Sequence, residues 1–133
     1  MFSHRTLVRL HDTDAAGILF FAHQFKIAHD AYETFMEGSG NSFASIFKDK
    51  TMLIPIVHAE ADYVAALEVG DYLSVRMVAE QIGDSSFTLS YRLVDNDDRV
   101  VGTVKTVHVC INRQSGEKIP VPDKLRRALE AIA

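Results

Sequence analysis

Along the first ten positions apolar and polar residues alternate with period two, and the pattern then switches to a helical period. Thr6, Val8 and Leu10 alternate with Leu7 and Arg9, which predicts a first strand over residues 3–10. Phe21, Phe25, Ala28, Tyr32, Phe35 and Met36 recur at three- and four-residue spacing, the signature of one apolar helical face. Gln24, Lys26, Asp30, Glu33 and Glu37 fall mostly off that face, and Gly38 is the natural residue to end the helix. Such a helix of about 17 residues spans roughly 25 Å. A short second helix is predicted near Ser42–Lys50, with Asn41 or Ser42 as its cap.

Beyond this point the period returns to two. In the segment Ile54–Tyr63, Val57, Ala59, Ala61 and Tyr63 take one face, and His58, Glu60 and Asp62 the other. Gly70-Asp71, Gly83-Asp84 and Asp95-Asn96-Asp97-Asp98 are turn signals that separate two further alternating segments, around Leu73–Glu80 and Phe87–Leu93. Val100–Asn112 reads as one long β-branched strand closed by Ser115-Gly116. Pro122 then opens a last helix with Leu125, Leu129 and Ile132 as its stripe. The predicted order is strand, long helix, then an antiparallel meander. Short loops make consecutive strands antiparallel, and one helix with a continuous apolar face can serve as the core of a sheet that curls around it.

Size and composition narrow the class. A chain of 133 residues is most simply one domain, residues 1–133, large enough to need no disulfide or metal staple. The single cysteine, Cys110, excludes an internal disulfide and fits a reducing compartment. The start, Met1-Phe2-Ser3-His4-Arg5, lacks the apolar run of a signal peptide, and no run is long enough to cross a bilayer, so a cytoplasmic location is expected. The net charge is −4, and the nearest approach to a basic cluster is Lys124, Arg126 and Arg127, which gives nucleic-acid binding little support.

Candidate chemistry concentrates in Asp12-Thr13-Asp14-Ala15-Ala16-Gly17, just before the long helix. A helix N-terminus offers free backbone N–H groups and partial positive charge. A carboxylate beside such donors can attack a carbonyl, or direct water at it, while the donors hold the oxygen. The plainer alternative for Asp14 is a helix cap or an Asx turn. A serine hydrolase would need Gly-x-Ser-x-Gly on a strand-to-helix elbow, and Gly38-Ser39-Gly40 has neither the spacing nor the place. His23 and His29, and His11 with Asp14, make a thin ligand set, so no metal is expected. A phosphate-binding P-loop is absent. His108 and Cys110 share a strand face, but nothing marks the thiol as activated, so Cys110 reads as a buried structural cysteine.

The Asp-x-Asp-x-x-Gly motif followed by Ile18-Leu19-Phe20-Phe21, together with the element order over essentially the whole chain, resembles the hotdog-fold thioesterases of the 4-hydroxybenzoyl-CoA thioesterase type. The segments His29-Asp30-Ala31-Tyr32-Glu33, Pro55-Ile56-Val57-His58-Ala59 and Val107-His108-Val109-Cys110-Ile111 are similar to the 1,4-dihydroxy-2-naphthoyl-CoA thioesterases of quinone biosynthesis. The resemblance implies an α+β hotdog fold, an antiparallel sheet of about five strands around one long helix. It also implies hydrolysis of an aromatic acyl-CoA, with no cofactor beyond the coenzyme A of the substrate.

By the same resemblance Asp14 is the catalytic carboxylate, as nucleophile or general base, and Asp12 the structural acid. Gly17 turns the chain or lets backbone approach the thioester, and the Phe21 N–H polarises its carbonyl. His29 and His58 become candidate substrate contacts, with His29 facing a ring hydroxyl or satisfied locally on the helix. A homodimer with sheets joined edge to edge, assembling into a homotetramer, follows from the same source. Two departures qualify the likeness. The position seven after Asp14, a histidine in the short-chain acyl-CoA branch, is Phe21. The stretch before the fourth strand, Gly83-Asp84-Ser85-Ser86, lacks the basic residues that hold coenzyme A phosphates, leaving Arg76, Arg92, Lys105 and Arg113 as replacements. A hotdog dehydratase and a catalytically silent acyl-CoA-binding domain are the rivals. The first pairs an acid with a histidine in another motif, and the second has no need of an intact Asp14-x-x-Gly17.

Overall fold

The computed structural model describes all residues, Met1–Ala133. Its elements run β1 (Phe2–Leu7), one 3₁₀ turn (Leu10–Asp12), α1 (His23–Gly38), α2 (Phe43–Asp49), β2 (Met52–Leu53), β3 (Ile56–Tyr63), β4 (Tyr72–Ile82), β5 (Ser86–Val94), β6 (Val100–Val109), β7 (Ile111–Asn112) and α3 (Asp123–Glu130). Five strands form one antiparallel sheet in the order β1-β4-β5-β6-β3, and β2 pairs with β7 in a small second ladder. This is the hotdog arrangement, with α1 packed on β1, β4 and β6. No helix is long and apolar enough to cross a membrane.

The core forms where the two periodicities meet. Ile27, Ala28, Ala31, Tyr32, Phe35 and Met36 of α1 are buried against alternate residues of the sheet: Leu73, Val75 and Met77 on β4, and Phe87, Leu89, Tyr91 and Leu93 on β5. Each strand residue between these points away from the helix, as the strand period requires. α3 closes one end with Leu125 and Leu129 buried, followed by Ile132. Arg126 on that helix donates to the carbonyls of Gly83 and Asp84 at 2.7 and 3.1 Å, so it anchors the β4–β5 turn.

Several boundaries differ from the sequence expectation. β1 stops at Leu7, because Leu10–Asp12 winds into a 3₁₀ turn whose Asp12 carboxylate accepts the Arg9 N–H at 2.9 Å. The long helix ends at Gly38, but the left-handed position that turns the chain away belongs to Gly40, at φ +78°. Ser42 caps α2 by accepting the Ser45 N–H. The expected single strand Val100–Asn112 is broken at Cys110, where the backbone leaves β5 and β3 and the last two residues pair with Met52 and Leu53. β3 pairs only with β6 and is exposed along most of its length, with Ala61 its one residue packed partly against the core.

Candidate active site

Residues 13–19 fold back on themselves as a tight hairpin. Thr13 bridges Leu19, the Asp14 N–H donates to the Ile18 carbonyl at 2.9 Å, and the Gly17 N–H donates to the Asp14 carbonyl at 3.0 Å. Closing so short a loop places Gly17 at φ +79°, a left-handed conformation that only glycine adopts without strain. Leu19 and Ile18 are held from the far side, through the Leu67 carbonyl and a bridge to Glu68.

The two acids of the motif meet opposite fates. Asp12 is 2 % exposed, with one oxygen on the Arg9 N–H and the other 3.5 Å from the Lys26 ammonium. Its own carbonyl accepts the Phe20 N–H at 3.0 Å and lies 2.9 Å from His23 Nδ1. Asp12 is therefore the acid that builds the turn. Asp14 is exposed: one carboxylate oxygen accepts the Ala16 N–H at 2.8 Å in an Asx turn, and the other is left open. The Asx turn and an available carboxylate thus coexist, each using a different oxygen.

The hairpin delivers the chain to α1 without a cap. Ala22 occupies the N-cap position with helical φ and ψ, no side chain caps the first-turn N–H groups, and no acidic residue lies in that turn. The first bonds of the turn are His23 N–H to Phe20, Gln24 N–H to Phe21 and Phe25 N–H to Ala22, so the Phe21 and Ala22 N–H groups have no backbone partner. These are orphan donors at the positive end of the helix dipole. The Phe21 ring does not join the core, being 63 % exposed and packed against Phe20. Asp14, Gly17 and Phe21 therefore lie on one short segment, and a cavity of about 260 Å³ opens beside it, lined by Ile18, Leu19, Phe21, Gln24, Tyr63 and Leu67 among others.

The other candidates lie apart from that segment. His29 stands further along α1, 3.4 Å from Glu33 and edge-on to Tyr32. It lines a second cavity of about 230 Å³ with Tyr32, Phe43, Phe47, Ile54 and Ile56. His58 is exposed on β3 and bonds Glu60 at 3.0 Å. Among the replacement cations, Arg76 is paired with Asp98 and Lys105 with Glu80. Cys110 is fully buried, and burial pushes its thiol up to about 11, as a structural cysteine requires.

Three residues that tie the helix start escape the sequence reading. His23 reaches the Asp12 carbonyl, and Tyr63 of β3 donates its hydroxyl to the Phe21 carbonyl at 2.7 Å. Gln24, expected on the polar side, is 1 % exposed and donates to the carbonyls of Asp62 and Thr103 at 2.9 and 3.1 Å. Its phase was the available signal, since position 24 falls on the same face as Ala28, Ala31 and Phe35.

A single long helix clasped by an antiparallel sheet defines the protein as a hotdog domain, and the acid-and-glycine hairpin opening onto an uncapped helix start is its candidate site. Residues 8–129 match the model of the thioesterase-like superfamily, and the chain belongs to that superfamily. It is 38 % identical over 126 residues to the 1,4-dihydroxy-2-naphthoyl-CoA hydrolase of Rippkaea orientalis, covering 93 % of this chain and 91 % of that one. The enzyme of the same name from Synechococcus elongatus is 35 % identical over 133 residues, covering 99 % and 97 %. Among solved structures, the 1,4-dihydroxy-2-naphthoyl-CoA thioesterase from Synechocystis superposes with a TM-score of 0.92 at 29 % identity, covering 96 % of this chain and 94 % of that one. A gentisyl-coenzyme A thioesterase superposes with a TM-score of 0.84 at 26 % identity, covering 96 % and 98 %.

Proposed function

We propose that the protein hydrolyses an aromatic acyl-CoA, with 1,4-dihydroxy-2-naphthoyl-CoA as its foremost substrate, releasing the free acid and coenzyme A. The observation that carries this reading is the open Asp14 oxygen on the same short segment as the unpaired Phe21 N–H. The similarity to hydrolases of that ester supports the choice of acyl group.

The thioester carbonyl oxygen lies against the Phe21 N–H, where negative charge is stabilised as the tetrahedral intermediate forms. The free oxygen of Asp14 either attacks the carbonyl carbon or takes a proton from the water that does. Collapse of the intermediate breaks the carbon–sulfur bond and expels the coenzyme A thiolate. In the first route a water then hydrolyses the acyl-aspartyl anhydride. Neither route calls for a metal or a further cofactor, because coenzyme A arrives with the substrate. Gly17 keeps the hairpin tight and leaves its backbone open to the thioester. His29 in the aromatic-lined cavity suits a ring hydroxyl.

In this reading His58, exposed on β3 and apart from the Asp14 segment, serves a substrate bound at a second subunit. β3 is an edge strand with Val57 and Tyr63 exposed and Val64 exposed just beyond it, a surface that a second copy would cover by edge-to-edge pairing. We therefore place the enzyme as a homodimer that assembles into a homotetramer, with His58 of one subunit facing Asp14 of the other. A cytoplasmic setting fits the single buried thiol.

The test is kcat/KM for dihydroxynaphthoyl-, 4-hydroxybenzoyl- and short and medium aliphatic acyl-CoA, with Asp14→Asn as control. A strong preference for the naphthoyl ester that disappears in the variant is the expected result. A flat or aliphatic-biased profile would discard the acyl assignment and the roles of His29 and His58.

A further inference from the structure

We infer that Tyr63 is a positioning residue for thioester hydrolysis, its hydroxyl fixing the Phe21 backbone so that the Phe21 N–H stays aimed at the reacting carbonyl. This rests on the reading of Phe21 as the carbonyl-polarising donor.

A helix start with neither a capping side chain nor an acidic first turn is prone to fray. A capping side chain would also consume the very donors that a ligand needs. Here order comes from outside the helix. The Phe21 carbonyl receives only a long helical bond from the Gln24 N–H, 3.4 Å, whereas the Tyr63 hydroxyl reaches it at 2.7 Å from a residue 42 positions away. Tyr63 thus supplies the short bond that the first turn lacks.

The tether is itself anchored. Tyr63 ends β3 and pairs in register with Gly102 of β6, and the Gln24 amide bridges the same two strands through the Asp62 and Thr103 carbonyls. One strand therefore grips the helix start twice, once through a backbone carbonyl and once through a buried side chain. Phe21 is thereby held on both sides: the plane that carries its N–H through the Phe20 carbonyl, which accepts the His23 N–H at 2.9 Å, and the plane after it through the Tyr63 hydroxyl on the Phe21 carbonyl. Holding a donor in its productive orientation before the reaction begins is where electrostatic stabilisation gains its strength.

The discriminating variant is Tyr63→Phe, which keeps the half-exposed ring and removes only the hydroxyl. With the naphthoyl ester, kcat is expected to fall by about fivefold or more, the factor that one neutral hydrogen bond orienting the donor corresponds to, while KM and the melting temperature stay close to wild type. Tyr63→Leu is expected to lower kcat to the same degree and to raise KM, since the ring also lines the cavity beside Phe21. Amide hydrogen exchange across residues 20–26 is read on the same proteins without substrate, and is expected to quicken in Tyr63→Phe. Unchanged kcat, or unchanged exchange in that segment, would overturn the assignment. A wild-type protein that hydrolyses no thioester would instead remove the functional reading, and the exchange measurement would still judge the tether.

Discussion

The imidazole of His108 lies flat against the ring of Phe87, with centroids 4.7 Å apart and planes 4° from parallel. His108 faces inward from β6, fully buried, with Nε2 2.7 Å from Thr106 Oγ1, which in turn lies 3.1 Å from the Tyr91 hydroxyl. Tyr32 of α1 also packs on it, tilted by 49° with centroids 4.6 Å apart.

Burial, reinforced by the nearby His29, pushes the His108 imidazole down from its ordinary 6.5 to about 3. The ring therefore stays neutral in the folded protein while the unfolded chain takes up a proton below about pH 6.5. Because the unfolded state binds more protons, stability is full above that pH and is lost as pH falls toward 3, by up to about 1.4 kcal/mol per pH unit. Denaturant titrations of wild type and His108→Leu between pH 7 and 4 measure this. The wild-type curve is expected to fall more steeply, and parallel curves would show that His108 does not carry the slope.

The Tyr32 hydroxyl is buried without a hydrogen-bond partner, and burial raises its pKa above the usual phenol range, with Tyr91 and Cys110 adding to the effect. A buried hydroxyl left unpaired costs about 1–3 kcal/mol. Tyr32→Phe is therefore expected to raise the unfolding free energy by up to about 1 kcal/mol, with its contacts to His29 and Phe43 retained. A destabilised variant would mean that the hydroxyl has a partner in solution, which calorimetry would reveal as a lower melting temperature.

What the sequence made legible follows from which signals are local. The switch from period two to period 3.6 located α1 and the strands, because burial imposes those periods directly on residue choice. The Asp-x-Asp-x-x-Gly spacing located the hairpin, because Gly17 must adopt positive φ there. The break of the last long strand at Cys110 was not legible, since β-branched residues continue on both sides and only the partner strand changes. Gln24 and Tyr63 were missed for a related reason. Their partners are backbone carbonyls on other elements, and a carbonyl leaves no mark on residue identity.

Gly102 is a case in which a distant contact does constrain the residue. A Cβ at this position of β6 would stand 2.7 Å from both Nε2 and Oε1 of Gln24. Gly102→Ala must displace the amide from the Asp62 and Thr103 carbonyls, at an expected cost of about 1–3 kcal/mol. Adding Gln24→Ala makes room for the new methyl, so the two substitutions should cost less together than the sum of their separate effects. Strict additivity in the double-mutant cycle would refute the coupling.

Asp12 and Asp14 predict opposite phenotypes from the same chemical change. Asp12 is buried, accepts the Arg9 N–H and faces Lys26, so Asp12→Ala strands a backbone donor and opens the turn. A loss of about 1–3 kcal/mol is expected, with activity falling only as far as the helix start loosens. Asp14 is exposed, and its one internal bond, to the Ala16 N–H, can be kept by the amide oxygen of asparagine. Asp14→Asn is expected to change stability by no more than about 0.5 kcal/mol yet to lower kcat at least about 100-fold, because an amide neither attacks a thioester nor takes a proton from water at neutral pH. Thermal melts and thioester turnover on the same two preparations measure both effects. An Asp14→Asn protein that retains turnover, or one whose lost turnover tracks lost folding, would move the carboxylate from the chemistry to the scaffold.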